Sequence, residues 1–358
     1  RGMGKCCVSG AGAINVDYKT RTVEIEGITL KEGDFISLNG TTGEVYKGKV
    51  ETKAAEVSGD FAALMDLCNK YTKLNVRTNA DTPHDAEVAR AFGASGIGLC
   101  RTEHMFFDAE KIVAMREMIL SPDVEGRRKA LAKLLPFQKA DFKGIFKAMD
   151  GCPVNVRLLD PPLHEFVPHD AKGQEEMAKA MGVTVQEIKK RVESLCEHNP
   201  MLGHRGCRLG NTYPEITEMQ TQAILGAAIE LKKEGYDPHP EIMVPLTGIL
   251  YEFEAQEKVI RDAAAALFEK EGMEIPFKVG TMIEIPRAAL TANRIASRAE
   301  YFSFGTNDLT QMTFGYSRDD IASFLPVYLE KKILKVDPFQ VLDQNGVGQL
   351  IEMAVDKG

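Results

Sequence analysis

The stretch Gly280-Thr-Met-Ile-Glu-Ile-Pro-Arg287 is a short apolar run that stops on an acidic residue, Glu284. A second run, Tyr301-Phe-Ser-Phe-Gly-Thr-Asn-Asp-Leu-Thr310, stops in the same way before Asn307 and Asp308. Such runs are typical of buried strands in a parallel sheet. Carboxylates at the ends of two such strands suit a metal ion better than a core, and two carboxylates with an amide suit Mg²⁺. Polar residues that only cap the next helix remain the alternative for either segment alone.

The rest of the chain from residue 74 onward alternates between strand-like and helix-like patterns. Helical stretches such as 216–233 and 250–270 lie between most of the strand candidates. This alternation predicts an α/β fold with a parallel sheet, namely a (β/α)₈ TIM-type barrel that lacks its last strand. The seven candidate strands are residues 74–77, 96–100, 153–158, 201–204, 241–245, 278–283 and 301–304.

The first part of the chain has a different character. Residues 1–52 are rich in glycine and β-forming residues, with short strands expected at 6–10, 22–26, 35–38 and 43–46. Residues 53–73 contain an amphipathic helix that begins near Ser58 and places Phe61 and Leu64 on one face. We therefore expect a small β-rich unit at 1–52, a linker helix within 53–73, and the incomplete barrel at 74–358.

Composition restricts the class of function. The 358 residues carry a net charge of −8, which disfavours nonspecific binding to nucleic acids or anionic membranes. No apolar run reaches the roughly 20 residues of a membrane span, and no signal peptide opens the chain. The seven cysteines are scattered and lack zinc-site spacing, which predicts free thiols in a reducing compartment, the cytoplasm or an organellar stroma, rather than secretion.

Arginines also stand at the ends of the candidate strands. Arg101 and Arg157 each follow an apolar strand directly, and in a parallel barrel both ends face one mouth. Guanidinium groups bind phosphate and carboxylate bidentately, so their convergence predicts a site for a small polyanion. For Arg77 and Arg208 a salt bridge at the rim is favoured. For Arg318, a solvated position and a phosphate contact remain open.

Five motifs in this order resemble the phosphoenolpyruvate-utilising enzymes, and the resemblance covers essentially the whole chain. They are Gly98-Leu-Cys-Arg-Thr-Glu-His-Met-Phe-Phe107, Arg157-Leu-Leu-Asp-Pro-Pro-Leu-His-Glu-Phe166, Asn199-Pro-Met-Leu-Gly-His-Arg-Gly-Cys-Arg208, Gly280-Thr-Met-Ile-Glu-Ile-Pro-Arg287 and Phe304-Gly-Thr-Asn-Asp-Leu-Thr-Gln311.

The resemblance implies a role for nine residues at the barrel mouth. Pyruvate or phosphoenolpyruvate would bind there with Mg²⁺ as the cofactor, held by Glu284 and Asp308. Arg101 and Arg157 would grip the phosphoryl group and the enolate side and, with Asn307, count as catalytic. The residues implied to contact substrate are Arg101, Arg157, Glu284, Gly305, Thr306, Asn307, Asp308, Arg205 and Arg318, of which Arg205 and Arg318 are supporting anion contacts.

The resemblance also implies partners and a reaction. Residues 1–52 would be the C-terminal remnant of a swivelling phosphohistidine domain, and the barrel would form a homodimer. The intact enzyme would interconvert ATP, phosphate and pyruvate with AMP, diphosphate and phosphoenolpyruvate through a phosphohistidine. The carrier histidine and a Cys-Gly-Glu-His motif of the eighth strand have no match here, so we expect truncation at both ends and substrate binding without turnover. Other reactions of the same family, and a non-catalytic binding or dimerisation module, remain alternatives.

Overall fold

The computed structural model describes residues 6–8, 14–25, 27–52 and 59–358, and divides the chain into two compact units, Arg1–Thr72 and Lys73–Gly358. In the first unit, three strands form an antiparallel sheet in the order β1-β2-β3, and β4 pairs with β5 in a hairpin. The predicted strands near 22–26, 35–38 and 43–46 are confirmed, and two more were missed. Of the segment 6–10, residues 6–8 are not in a strand, and the rest lies outside the described residues. The elements are β1 (Ile14–Asp17), β2 (Thr22–Ile25), β3 (Ile28–Lys31), β4 (Ile36–Asn39), β5 (Glu44–Lys47) and the helix α1 (Gly59–Tyr71).

The second unit is built on a six-stranded parallel sheet in which the strands follow one another in chain order, from β6 to β11. Helices separate the strands, and this order is that of a curled (β/α) barrel sheet, as predicted. The strands are β6 (Thr78–Asn79), β7 (Ile97–Arg101), β8 (Pro153–Arg157), β9 (His239–Val244), β10 (Lys278–Ile283) and β11 (Phe302–Phe304). The helices are α2 (Pro83–Ala91), α3 (Ala109–Leu120), α4 (Val124–Ala148), α5 (Ala171–Met181), α6 (Val185–Leu195), α7 (Gly206–Thr212), α8 (Pro214–Lys233), α9 (Leu250–Glu271), α10 (Pro286–Leu290), α11 (Ala292–Ile295), α12 (Thr306–Phe314), α13 (Leu325–Glu330) and α14 (Val347–Lys357).

One predicted strand is wrong. Residues 201–204 do not join the sheet, because β8 pairs directly with β9 from Pro153 opposite His239 onward. The segment instead contains a short 3₁₀ helix, Pro200–Leu202. Proline lacks the N–H that a sheet ladder needs, and Leu202 is 56% exposed, which a central strand would not allow. The apolar pattern of this segment therefore belongs to a loop over the mouth.

The first predicted strand is displaced. Leu74 and Val76 are largely exposed, and the paired residues are Thr78 and Asn79, which lie alongside β7. Arg77 consequently precedes the strand instead of following it. Its guanidinium forms an ion pair with Glu241 in β9 at 2.6 Å, so the predicted salt bridge is confirmed. The predicted position of Arg77 at the end of the first strand is wrong.

The core lies between the sheet and its helices. Strands β8, β9 and β10 are almost fully buried. Helix α8 packs against β9 and against α4, and its small residues Ala223, Ala227 and Ala228 belong to the same core. Burial of both strand faces explains why these segments are continuous apolar runs. The polar groups that follow the strands are therefore held on a rigid frame.

The N-cap of α2 supports a test of local stability. The hydroxyl of Thr82 accepts from the backbone N–H of Asp85 at 3.1 Å and donates to its carboxylate at 2.8 Å. We expect Thr82→Ala to lower the free energy of unfolding by about 1 kcal/mol, since two helix-end contacts are lost. Denaturant unfolding should show Thr82→Ser close to the wild type, because serine keeps the hydroxyl. An equal loss in both variants would contradict the cap assignment.

Candidate functional site

A cavity of about 1340 Å³ opens where the strands of the barrel end, and its lining includes all nine residues predicted to contact substrate. The mouth is thus formed by residues separated by more than two hundred positions in the chain. The nine residues are Arg101, Arg157, Arg205, Glu284, Gly305, Thr306, Asn307, Asp308 and Arg318. The predicted convergence of arginines and carboxylates at one end of the barrel is present in the structure.

Strand pairing brings the two acidic motifs together. Ile283 lies opposite Phe304 in the parallel pair of β10 and β11, and the N–H of Gly305 donates to the carbonyl of Ile283 at 3.1 Å. Glu284 follows the first strand and Gly305 the second, so the carboxylate and the start of α12 are neighbours. Asp308 lies in the first turn of α12 and is 8% exposed.

Glu284 is fully buried and is one of the residues that line the cavity. Its Oε1 accepts from the backbone N–H of Leu246 at 2.7 Å, whereas Oε2 has no hydrogen-bond partner among the described residues. Burial, followed by the charges of Asp160 and Asp308, raises the pKa of this carboxyl well above its usual range, against the opposing effect of Arg157 and Arg205. A buried carboxylate oxygen without a donor is an open ligand position for a cation or a proton donor.

Leu246 reaches Glu284 through an unusual backbone conformation. Its φ is 59°, in the left-handed region that a bulky side chain rarely occupies. The neighbouring Gly206 also has a positive φ, of 57°, and a Cβ there would lie 2.7 Å from that of Leu246. The two backbones approach closely beside the site, and the strained turn directs an N–H at the buried carboxylate. No feature of the sequence marks Leu246, because leucine is not a residue typical of such a turn.

Five side chains form a buried chain of alternating charge beside Glu284. Arg157 pairs with Glu103 and, at 3.0 Å, with Asp160. Arg205 lies 2.6 Å from Asp160 and 3.5 Å from Asp308. Burial alone would lower the pKa of Arg157, but Asp160 and Glu103 raise it, so its guanidinium is held in the charged form. Glu103 and Asp160 belong to motifs of the sequence analysis, but neither was expected to contact the arginines.

The buried charges do not balance. Four carboxylates, those of Glu103, Asp160, Glu284 and Asp308, are at most 8% exposed, against two guanidinium groups, those of Arg157 and Arg205. When all are ionised, four negative and two positive charges leave an excess of two negative charges. Burial of unpaired charge is expensive, so the cluster favours either a proton on Glu284, whose pKa is raised, or a cation at the mouth.

Arg101 lies at the edge of this cluster. Its backbone N–H donates to Asp81 at 2.6 Å, and Asp81 also contacts His104 Nδ1 at 2.7 Å, which fixes the end of β7. The Arg101 side chain is half-buried, and its guanidinium has no hydrogen-bond or ion-pair partner among the residues that the structure describes. It is therefore available for an anionic ligand.

The remaining predicted residues lie on α12 and the segment after it. Thr306 is exposed and Asn307 half-buried, and Asn307 Oδ1 accepts from Arg318 Nη1 at 2.6 Å. Arg208 does not reach a carboxylate in the described structure. It donates instead to the carbonyls of Leu202 and Gly203 at 2.8 and 2.9 Å, so the salt bridge favoured for it is wrong and its role is structural.

Gly305 is the tightest point of the site and supports a second test. A methyl group there would overlap the Glu284 carboxylate and lie 2.8 Å from Met282 Sδ. We expect Gly305→Ala to lower the free energy of unfolding by about 1–3 kcal/mol through overpacking. Gly248→Ala is the matched control, because its Cβ would have only ordinary contacts, the nearest at 3.4 Å from Glu252.

The cost of Gly305→Ala should fall in a Glu284→Ala background, because the second substitution removes the nearest colliding atom, Glu284 Oε2, although Met282 Sδ and the Cβ at position 284 remain. Chemical unfolding of both single variants and the double variant measures this coupling. Strictly additive losses would show that Gly305 and the Glu284 carboxylate do not compete for the same space.

The chain resembles known proteins over its whole length. The family model described as the PEP-binding domain of PEP-utilising enzymes, where PEP is phosphoenolpyruvate, matches residues 55–358. Pyruvate, phosphate dikinases from Clostridium symbiosum and Giardia intestinalis are each 57% identical over 100% of this chain, which covers 41% and 40% of those proteins. The chloroplastic pyruvate, phosphate dikinase 1 of Arabidopsis thaliana is 55% identical over 100% of the chain, which covers 37% of that protein. The chain thus spans about two fifths of the length of these relatives. It belongs to the family of phosphoenolpyruvate-utilising enzymes, and residues 55–358 match the family's phosphoenolpyruvate-binding domain.

Proposed function

We propose that this chain is the pyruvate- and phosphoenolpyruvate-binding part of a pyruvate, phosphate dikinase. The observation that carries the proposal is the fully buried Glu284, which lines the cavity together with the arginine and carboxylate cluster and whose Oε2 has no partner among the described residues. The complete enzyme would interconvert ATP, phosphate and pyruvate with AMP, diphosphate and phosphoenolpyruvate through a phosphohistidine. Matches over the whole chain to proteins named pyruvate, phosphate dikinase favour this reaction over phosphoenolpyruvate synthase or enzyme I of the bacterial sugar phosphotransferase system.

The residues at the mouth fit a magnesium ion. Glu284 and Asp308 would hold it, because both are buried carboxylates beside one cavity and hard oxygen ligands are those that Mg²⁺ prefers. No group of three or more acidic, histidine or cysteine side chains in the described part of the chain is arranged to hold a metal ion. Mg²⁺ is commonly bound through one or two carboxylates together with waters and substrate phosphates, so two protein ligands are compatible with the proposal. When bound, the ion would supply positive charge beside the oxygen that becomes negative as pyruvate forms its enolate.

The arginines would bind and orient the phosphoryl group. Arg157 is held by Glu103 and Asp160, so its guanidinium is oriented before substrate arrives. Arg101 has no competing partner among the described residues and would complete the anion site, with Arg205 as a supporting contact. Phosphoryl transfer depends mainly on positioning and on neutralising charge, and a preoriented cluster serves both.

The start of α12 would receive the carboxylate end of the substrate. Thr306 and Asn307 place backbone N–H groups at the helix N-terminus, where the helix dipole favours negative charge. Gly305, whose own N–H donates to Ile283, would contact the substrate without a side chain in the way. Asn307 adds a side-chain amide at the same end. A substrate with a phosphate at one end and a carboxylate at the other could thus contact the arginines and α12 together.

The wider arrangement is also part of the proposal. Residues 1–52 would be the remnant of the phosphohistidine domain and 53–73 the linker, which is supported by the family match from residue 55 and the compact unit from Lys73. Partners would be the phosphohistidine domain of the same polypeptide and a second copy of the barrel. In the part of the chain that the structure describes, no helix has the length and hydropathy of a membrane span. All seven cysteines are unpaired, in keeping with a reducing cytoplasm or stroma.

Calorimetry of this chain with phosphoenolpyruvate tests the site directly. We expect binding that requires Mg²⁺ and that weakens at least about tenfold, or about 1.4 kcal/mol, in Glu284→Gln and in Asp308→Asn, since each removes a charged ligand. Glu352→Gln, a neutralised carboxylate exposed on α14, is the control and should bind like the wild type. Mg²⁺-independent binding would contradict the metal assignment. No binding at all would leave the structural or dimerisation module as the better description.

A comparison of two ligands tests the role of Arg101. We expect Arg101→Leu to weaken phosphoenolpyruvate binding about tenfold or more, because a charge-assisted contact to the phosphoryl group is lost. Pyruvate lacks that group, so its affinity should change by less than about threefold. Arg294→Leu, on the exposed face of α11, is the control for removal of one positive charge. Equal losses for both ligands would place Arg101 at the carboxylate or enolate instead.

A further inference from the structure

We propose that Arg318 acts through Asn307: with Gln311 it forms a positioning relay that fixes the Asn307 amide as a hydrogen-bond donor to the substrate. This inference rests on the proposed function, which places substrate at the start of α12. It replaces a direct contact of Arg318 with the substrate by an indirect one. The relay consists of two hydrogen bonds, from Arg318 Nη1 to Asn307 Oδ1 at 2.6 Å and from the Arg318 backbone N–H to Gln311 Oε1 at 2.8 Å.

The first bond determines which atom of Asn307 remains available. A guanidinium group has donors and no acceptor, so the amide atom that it contacts is the oxygen. With Oδ1 engaged, the Nδ2 group is the part of Asn307 that remains to contact a ligand in the cavity that the residue lines. An amide free to rotate would offer an oxygen or a nitrogen, and an oxygen would repel a carboxylate or an enolate. The bond from Arg318 therefore makes Asn307 selective for an anionic oxygen.

The second bond, from the Arg318 backbone N–H to Gln311, positions Arg318 so that its guanidinium reaches Asn307. Gly315, with a φ of 70°, ends α12 in the left-handed conformation, and the chain then returns toward the start of the same helix. The carbonyl of Gln311 accepts from Gly315 and from Tyr316, and its side-chain Oε1 accepts from Arg318. One glutamine thus holds both the beginning and the end of the returning segment 315–318.

Gln311 is itself held in a defined orientation. It is 6% exposed, and its Nε2 points toward Asp308 Oδ1 at 3.4 Å and Met201 Sδ at 3.7 Å. Because Nε2 faces the carboxylate, Oε1 must face the Arg318 N–H. The rings of Phe314 and Tyr316 stack at 5.2 Å and Phe324 packs on Tyr316 at 5.1 Å, which supports the segment from its other side.

The first measurement needs no ligand, and so it tests the relay whether or not the proposed function holds. The side-chain NH₂ signals of Asn307 are identified in a ¹⁵N correlation spectrum by their absence in Asn307→Ala. We expect them to move in Arg318→Leu and in Gln311→Leu, and to stay in place in the control Arg294→Leu. Unchanged signals in Arg318→Leu, a substitution at an exposed position that should not disturb folding, would overturn the relay.

The second measurement is a double-mutant cycle on phosphoenolpyruvate binding in the presence of Mg²⁺. We expect Arg318→Leu to weaken binding about fivefold in the wild type and less than about twofold in an Asn307→Ala background, because its effect passes through Asn307. A direct contact between Arg318 and the substrate would give the same loss in both backgrounds, and that result would overturn the inference. If the wild type itself fails to bind, the proposed function fails, and the spectra alone decide the relay.

Discussion

Asp160 lies between two buried guanidinium groups, and the rest of the site depends on that arrangement. Its carboxylate is 2.6 Å from Arg205 and 3.0 Å from Arg157, and its backbone carbonyl accepts from Gly206 at 2.8 Å. An arginine in the interior is stable only when it is paired and hydrogen-bonded. Asp160 therefore keeps both arginines charged and, through Gly206, fixes the turn that presents one of them.

The barrel makes this cluster possible because its strands are parallel and follow one another in sequence. Arg157 ends β8, Glu284 follows β10 and Asp308 follows β11, so each arrives at the same rim without a long connection. Strands β8 and β10 are almost fully buried, by helices on the outer face and by the barrel interior on the inner face, which keeps their ends from shifting relative to one another. A site whose partners must meet within hydrogen-bond distance needs such a frame.

The sequence predicted strand bounds most accurately where the strand is buried on both faces and is therefore a continuous apolar run. Strand β10 has the predicted bounds, 278–283, and the position of Glu284 followed from them. The segment 201–204 has a similar apolar character, but Pro200 and the exposed Leu202 show that hydrophobicity alone does not separate a strand from a packed loop. Residues such as Leu246 could not be predicted, because its N–H acts through a backbone conformation that its residue type does not encode.

Several buried polar atoms at the mouth lack a hydrogen-bond partner in the described part of the chain, and their grouping is not what poor packing would produce. Glu284 Oε2, Asp160 Oδ1, Arg157 Nε and Arg205 Nε are all buried and unpartnered within the described structure, and they line or adjoin one cavity. Each such group lowers the stability of the fold by about 1–3 kcal/mol as long as it has no partner. Apolar side chains at these positions would avoid that loss in an ordinary core. The concentration of such polar groups at the end of otherwise well-packed strands is explained if the free energy is recovered by a ligand that carries both positive and negative charge. A divalent cation accompanied by an anionic substrate meets that description, whereas either one alone would leave part of the cluster uncompensated.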